Sequence, residues 1–484
     1  MAAVKKLVEP MFAEIRQMEA LENVTIDGLN YNPDVNILTK GDRKFLLSFK
    51  AVLTKELYHV VSKPSLGRFL IHSNNHSYEI ENNQAYFGGY NFLDTDAQTF
   101  EMNISAMRDV NELEGYMRMA IPISRDYWAH NLHTFSIQTE RSLGGGLLIL
   151  KFDKGEVHVY TVTDRKTNQQ YLIVEPHYEV TKDILFNIHY AVTIGLGIIT
   201  GTAHFGEAYV LVGNSLEYES YKAVSYYSLR ESVHSQYTTF STNMYWAEMV
   251  LKQGQYNSYA LDMIKDDNGK VKSGLVDWLY ENTYGTIINN MYLYPEFARA
   301  AVILIDGTDK ALDYQAAMYA VALETLCTKL KKIYEMEFDG IIKDKGTWTR
   351  IRKPMTKTYL DSCTKYGIDE QTANKIGNKI PKLNEISNSD KFKLVIERLG
   401  LKMLASDADA IEQRNSLLHG ELVKKTAEDS TDFDDMYYYS LVLHRLCTAI
   451  IFKFAGYHGY LVNNAVLMDR KPACDAREPV LIEV

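Results

Sequence analysis

The apolar positions of this chain change period along its length. Up to about residue 220 they fall in short β-prone runs separated by turn residues. The clearest are Phe45-Leu46-Leu47-Ser48-Phe49 and residues 147–152, 157–162 and 171–174. Asp153-Lys154-Gly155 has the composition of a hairpin turn between two of them. Gly144-Gly145-Gly146 precedes one run and is expected to break structure, not to cradle phosphate, because no Lys-Ser/Thr follows. Ile194-Gly195-Leu196-Gly197 approaches a dinucleotide fingerprint, but Thr200 stands at the third glycine position, so a nucleotide site is not expected. Many short strands without alternating helices favour a β-sandwich or jelly-roll-like region over a parallel α/β fold.

After about residue 220 the pattern turns helical. Residues 241–252 and 272–289 are expected to be helices, joined by a loop at 265–269. Beyond residue 300 the signal strengthens. Thr308 or Asp309 can cap a helix running to about residue 335. Its apolar positions, Leu312, Ala316, Tyr319, Leu323, Leu326, Leu330 and Ile333, alternate spacings of four and three, which makes one buried stripe. Further helices are expected at 369–380, 389–399, 406–423 and 433–455, with Ser406 and Asp409 resembling a capping box. The tail from Pro472 reads as extended or as a loose strand, and no internal repeat suggests a solenoid. The expected fold is α+β and multidomain: a β-rich part over 1–220, a helical connection over 221–300, an all-α bundle over 301–460 and a tail over 461–484.

Composition narrows the class. With 46% apolar and 24% charged residues, the chain can build substantial cores and is not wholly disordered. A net charge of -10 argues against general coating of nucleic acid. Charge is nonetheless uneven: residues 341–402 hold 14 Lys/Arg against 7 Asp/Glu. The densest part carries Lys343, Lys345, Arg350, Arg352 and Lys353 around Trp348. That tryptophan could stack on a base, or tuck into the core behind a solvated basic loop. Residues 428–435 read as a solvated acidic loop.

The four cysteines form no C-x-x-C pair, so structural zinc is not expected, and Cys327 and Cys447 read as core residues. His72/His76 and His130/His133 have spacings that suit a metal, but neither pair lies in H-E-x-x-H or has an obvious acidic third ligand. The N-terminus is charged where a signal peptide needs an apolar run, and the longest apolar stretch, 191–200, falls short of the roughly 20 residues that span a bilayer. A cytoplasmic, reducing environment without membrane contact is expected.

The best candidate chemistry is Arg414-Asn415-Ser416-Leu417-Leu418-His419. Metal-free RNA cleavage needs an imidazole titrating near neutrality and a fixed cation for phosphate, and this hexapeptide offers both. On a helix Asn415 and His419 share a face. Arg414 and His419, five apart, lie about 140° around the axis and do not face each other. Either Arg414 reaches round, or a second surface completes the site. An ordinary ion pair with Glu412 or Glu421 is the alternative role. The pattern R-N-x-x-x-H is expected by chance roughly 0.03 times in a chain this long. Of the other late histidines, His444 reads as a core or interface residue and His458 as a turn residue.

This motif within a helical bundle resembles the HEPN superfamily of ribonucleases over about residues 300–460. The extended form EQRNSLLHGEL and the strand-rich N-terminal part look like the ApeA-type branch of bacterial anti-phage proteins. The segment Ala322-Leu323-Glu324-Thr325-Leu326 is similar to the Glu-bearing helix of many HEPN proteins. The resemblance implies a composite site formed by two HEPN domains, hence a homodimer or a higher even-numbered oligomer. It also implies RNA as substrate, with tRNA the family's habit, no metal or other cofactor, and 2′,3′-cyclic phosphate and 5′-hydroxyl products. His419 would be the general base, Arg414 would stabilise the phosphorane-like transition state, and Asn415 would orient the imidazole or the phosphate. Glu324 would position Arg414, or is simply a solvated glutamate on the helix flank. The β-rich part would sense a phage-derived trigger. An inactive HEPN-like scaffold for dimerisation or RNA binding is the alternative, as is a conventional enzyme in the β-rich part.

Overall fold

In the strand Tyr116–Ile123, Met117, Met119, Ile121 and Ile123 enter one hydrophobic core while Ala120 enters another. This period-two alternation divides the two faces of a large sheet. A computed structural model of the 484-residue chain describes residues 3–21, 24–27, 36–51, 68–73, 76–91, 98–112, 114–123, 132–140, 142–152, 154–235, 265–270, 279–419, 431–467 and 478–484. Among them is a twelve-stranded sheet. Its middle strands run antiparallel in the spatial order Leu143–Phe152, Gly155–Asp164, Gln169–Pro176, Tyr116–Ile123, Glu207–Gly213 and Tyr221–Ser228. Val4–Lys5 closes one edge, parallel to Phe135–Gln138, and Thr25–Asp27 closes the other. A second sheet holds Asn36–Gly41, Lys44–Ala51, Gln98–Ile104 and Ala85–Asn91.

The chain is thus a mixed protein, β-rich first and helical after. All four β-prone runs lie in strands, and Phe152 pairs with Gly155 across the expected hairpin. Two sheets share a core as in a sandwich: Phe45 meets Tyr226 edge-on at 4.9 Å, and helix α1 (Glu9–Glu19) buries Phe12 and Ile15 in the same core. The opposite face of the large sheet departs from a sandwich, because helices cover it. Gly144-Gly145-Gly146 also departs from expectation. It lies inside the strand Leu143–Phe152, beside a register shift where the absence of side chains is tolerated.

The expectation of a helix-free β region fails most clearly at α2 (Lys182–Thr200). Thr181 caps it, and Gly201 ends it at φ 84°. It is apolar on nearly every side, so it shows no stripe to read. It is long and apolar enough to cross a membrane, yet 67% of its most apolar window is buried inside the protein. Its glycines serve packing: a Cβ at Gly195 would lie 2.5 Å from Ile288 Cγ1, and one at Gly197 would lie 2.9 Å from the Ala203 Cβ.

Ile288 belongs to α3 (Glu281–Leu293), which is followed by α4 (Pro295–Asp306) and α5 (Leu312–Ile333). The expected helix at 241–252 and residues 272–278 of the next lie outside the described residues. In α5, five of the seven stripe positions are fully buried, and Leu312 and Ile333 at the ends are half-buried. Neither Thr308 nor Asp309 caps it. Thr308 spends its hydroxyl on Ile305 O inside the turn Gly307–Asp309, and Ala311 stands at the cap.

Helix α6 (Lys345–Lys365) has no counterpart among the expected helices, and it carries the basic segment around Trp348. Beyond Arg350 its less exposed positions, Arg352, Thr356, Tyr359 and Cys363, keep helical spacing but are mostly polar, so hydrophobic periodicity is silent. Asp344 caps it at Thr347 N. Helix α7 (Glu370–Gly377) stops earlier than expected, and α8 (Asn388–Leu399) starts from a Ser387 cap. Then come α9 (Ala405–His419) and α10 (Asp432–Phe454). The acidic residues 432–435 are not a loop: Thr431 and Asp434 form a capping box, and negative charge suits a helix N-terminus. The tail strand Leu481–Glu483 pairs antiparallel with Tyr460–Val462.

Gly195→Val is expected to destabilise the protein by about 1–3 kcal/mol, because the branched side chain meets both the side chain and the Cα of Ile288. A lowered urea midpoint at unchanged slope checks this.

Candidate functional site

Helix α9 is fixed at its start by a buried charge network. Arg445, on α10, bonds the Asp407 carboxylate, donates to Ser406 Oγ at 2.9 Å and donates to Asn463 Oδ1 at 2.7 Å. The tail contributes Glu478, whose carboxylate accepts from Ser406 N at 3.0 Å and from Ser406 Oγ at 2.9 Å. Asp407 also accepts from Leu404 N at 2.7 Å and so closes the first turn. The expected Ser406–Asp409 capping box is therefore not formed, because Ser406 is committed to Glu478.

From that anchor α9 buries Asp407, Ala410, Ile411, Arg414 and Leu417 along one stripe. Arg414 thus points to the core side, 3% exposed, while Asn415 and His419 are exposed. The guanidinium lies 4.5 Å from the centroid of the Phe392 ring of α8, a cation–π distance. Its Nη2 donates to Asn415 Oδ1 at 2.7 Å. Its Nε and Nη1 are buried without a hydrogen-bond partner among the described residues. Glu412 pairs with Lys393 at 2.8 Å instead of with Arg414, and Glu421 lies outside the described residues.

The structure therefore joins Arg414 to Asn415 directly and leaves His419 on the outer face, as helical geometry requires. Glu324 is exposed on α5, and no hydrogen bond or ion pair joins it to Arg414. The two residues do share a neighbourhood, since both act electrostatically on Cys327. Burial, the larger effect, pushes that thiol up.

The basic residues sit apart on their own arm. Ile341 N and Ile342 N donate to the backbone and side-chain oxygens of Asn384 at 2.8 and 2.6 Å, which closes residues 341–384 on themselves. Lys343, Lys345, Arg350 and Lys353 are exposed there, and Arg352 and Trp348 are half-buried. Arg352, Lys353 and Lys357 line an open cleft of about 620 Å³ with Asn374 and Asn378 of the α7 end.

The remaining histidine candidates resolve individually. His72 bonds Ser77 Oγ at 2.7 Å and Asp27 at 3.0 Å, whereas His76 bonds Asp109 at 2.9 Å, so the pair is not a shared ligand set. His133 faces Glu281 at 3.3 Å, and His130 lies outside the described residues. His444 is a core residue with Nε2 3.2 Å from Leu304 O, and burial lowers its pKa to about 4. His458 is exposed just past α10. The sequence reading missed one cluster, His158, Glu175 and His177, which the sheet register brings together. Burial above all, with Lys6 and His177 nearby, lowers the His158 pKa to about 3. The signal available was Glu175-Pro176-His177, two polar positions on one strand face within an apolar run.

Comparison of the chain with family models, curated proteins and solved structures returns no match.

Arg445→Leu leaves the Asp407 and Glu478 carboxylates buried without their cation and is expected to cost about 3–5 kcal/mol, read by chemical denaturation. A second expectation concerns pH. Burial lowers the pKa of both His189 and His444 to about 4 from 6.5. Below 6.5 the unfolded chain binds protons that the folded chain refuses. Stability is therefore full above that pH and falls as pH drops towards 4, by at most about 1.4 kcal/mol per pH unit for each imidazole. Urea titrations across this range check the slope, and His444→Gln should remove one share of it.

Proposed function

We propose that this chain is a metal-independent endoribonuclease of the HEPN type, acting in bacterial anti-phage defence, with the β-rich part holding it in check until a phage-derived trigger arrives. The observation that carries the reading is Arg414: a buried guanidinium with two donors unpaired among the described residues, one bond to Asn415 and an exposed His419 one turn further along the same helix. Each unsatisfied buried donor costs about 1–3 kcal/mol, which an anion such as a phosphodiester would offset.

In this reading two α9 helices from two subunits pair. The His419 imidazole takes the 2′-hydroxyl proton, and the imidazole of the second subunit protonates the leaving 5′-oxygen. Arg414 swings from Phe392 to hold the charge that builds on phosphorus, and Asn415 orients it. RNA, with tRNA the family-typical target, approaches over the basic arm, where Trp348 offers a stacking surface and Arg352, Lys353 and their neighbours hold phosphates. The products are a 2′,3′-cyclic phosphate and a 5′-hydroxyl.

Wild-type protein under activating conditions is expected to cut cellular RNA or tRNA in the presence of EDTA. Arg414→Ala and His419→Ala should each lose about 10²-fold or more in rate while keeping the same oligomer size by light scattering. Cutting that survives both substitutions would sink the nuclease reading. Equal growth inhibition by wild type and variants would instead favour an inactive scaffold.

A further inference from the structure

His158, Glu175 and His177 each place one ligand atom within 4.8 Å of the others. His158 stands directly opposite Glu175 on the neighbouring antiparallel strand, and His177 follows two residues on, so all three face the same way. His177 Nε2 and Glu175 Oε1 are 3.1 Å apart. Two ligands on a tetrahedral zinc with bonds near 2.0–2.1 Å are separated by roughly 3.3 Å, so this pair is already in place. The His158 side chain is 5% exposed, and neither ring nitrogen has a hydrogen-bond partner among the described residues. Its ring lies against that of His177 at 3.6 Å between centroids, with the Glu156 carboxylate 3.6 Å from Nε2. The His177 side chain is 25% exposed, which leaves a way in from solvent.

Lys6 fills the position between these ligands. Its Nζ bonds Glu175 Oε1 and lies 2.7 Å from His177 Nε2. It arrives on the N-terminal edge strand, which Lys6 N holds by donating to Gln138 O at 2.8 Å and Arg118 holds by donating to Leu7 O at 2.7 Å. The other Glu175 oxygen accepts from Arg118 Nε at 2.8 Å and from Tyr160 OH at 2.7 Å. One carboxylate thus serves two buried cations, and of these Lys6 is the one that touches a candidate ligand nitrogen.

We propose that His158, Glu175 and His177 form a site for Zn²⁺ or a similar borderline divalent ion, which the Lys6 ammonium occupies and closes. Metal entry displaces the ammonium from Glu175 Oε1 and His177 Nε2 and turns the His158 ring out of its 3.6 Å contact with that of His177, so that a nitrogen of each reaches one ion. Two imidazoles and one carboxylate leave a fourth position for water. The docked N-terminal strand and the metal therefore compete for the same atoms.

The test is a Zn²⁺ titration by calorimetry, with Co²⁺ visible absorption as a second readout, on the full chain. Lys6→Met is expected to bind one Zn²⁺ per chain on the order of a hundredfold more tightly than wild type, because a unit charge at contact distance has gone. Adding His158→Asn to that variant removes a direct ligand and should lose more than the roughly 10–100-fold that loss of an outer-shell partner costs. Equal affinity of the single and double variants, or no gain on losing Lys6, overturns the site. Should the methionine variant not melt cooperatively, Lys6→Gln, which removes the charge but keeps a polar side chain, replaces it in the same comparison with the same outcomes.

Discussion

The burial of α2 between the large sheet and the later helices holds the two halves of this protein together. Leu185, Ile188, Ile194 and Ile198 lie in the same core as sheet residues such as Met119 and Val174 and helical residues such as Ile288 and Leu304. Each such side chain contributes roughly 1.5–3 kcal/mol when fully buried, so one helix supplies much of the bond between strands and bundle. Gly195 and Gly197 allow that closeness: they are the notches into which Ile288 and the Ala203–Ile305 pair fit. The segment that most resembled a ligand loop is therefore a packing surface.

Two buried arginines in the bundle show opposite electrostatic situations. Arg445 is surrounded by Asp407, Glu478, Ser406 and Asn463, and its task is to tie α9, α10 and the tail into one rigid corner. Arg414, two turns further along α9, has a ring face and one amide oxygen, and leaves two donors unpaired among the described residues. A charge held by two carboxylates rigidifies its surroundings even with Arg445 Nε left unbonded, whereas an arginine with no carboxylate beside it among the described residues raises the free energy of the resting state. The rigid corner holds in place the helix that carries the unpaired charge.

Charge is segregated in the same manner. Basic residues gather on the arm of α6 and α7, where Cys363, Ala373 and Ile380 are among the few buried side chains. Such an arm contributes little to the core, and its surface is available for an electrostatic partner in a chain that is acidic as a whole.

Elements whose two faces differ can be read from the chain. The central strands and the stripe of α5 were legible because one side meets a core and the other does not, so polarity alternates with the period of the backbone. The sequence also located the Arg414–His419 motif and, by helical geometry alone, showed that the two side chains point apart. Elements without two contrasting faces escaped it: α2 is apolar nearly all round because it is enclosed, and α6 is exposed nearly all round, with Ile351, Met355 and Leu360 in solvent among its charges. Tertiary structure alone decided which polar groups meet. Arg445 reaches Glu478 across 33 residues, and Lys6 reaches Glu175 across 169. Those pairings follow from strand register and helix docking, which bring together residues that carry no mark of each other in the chain.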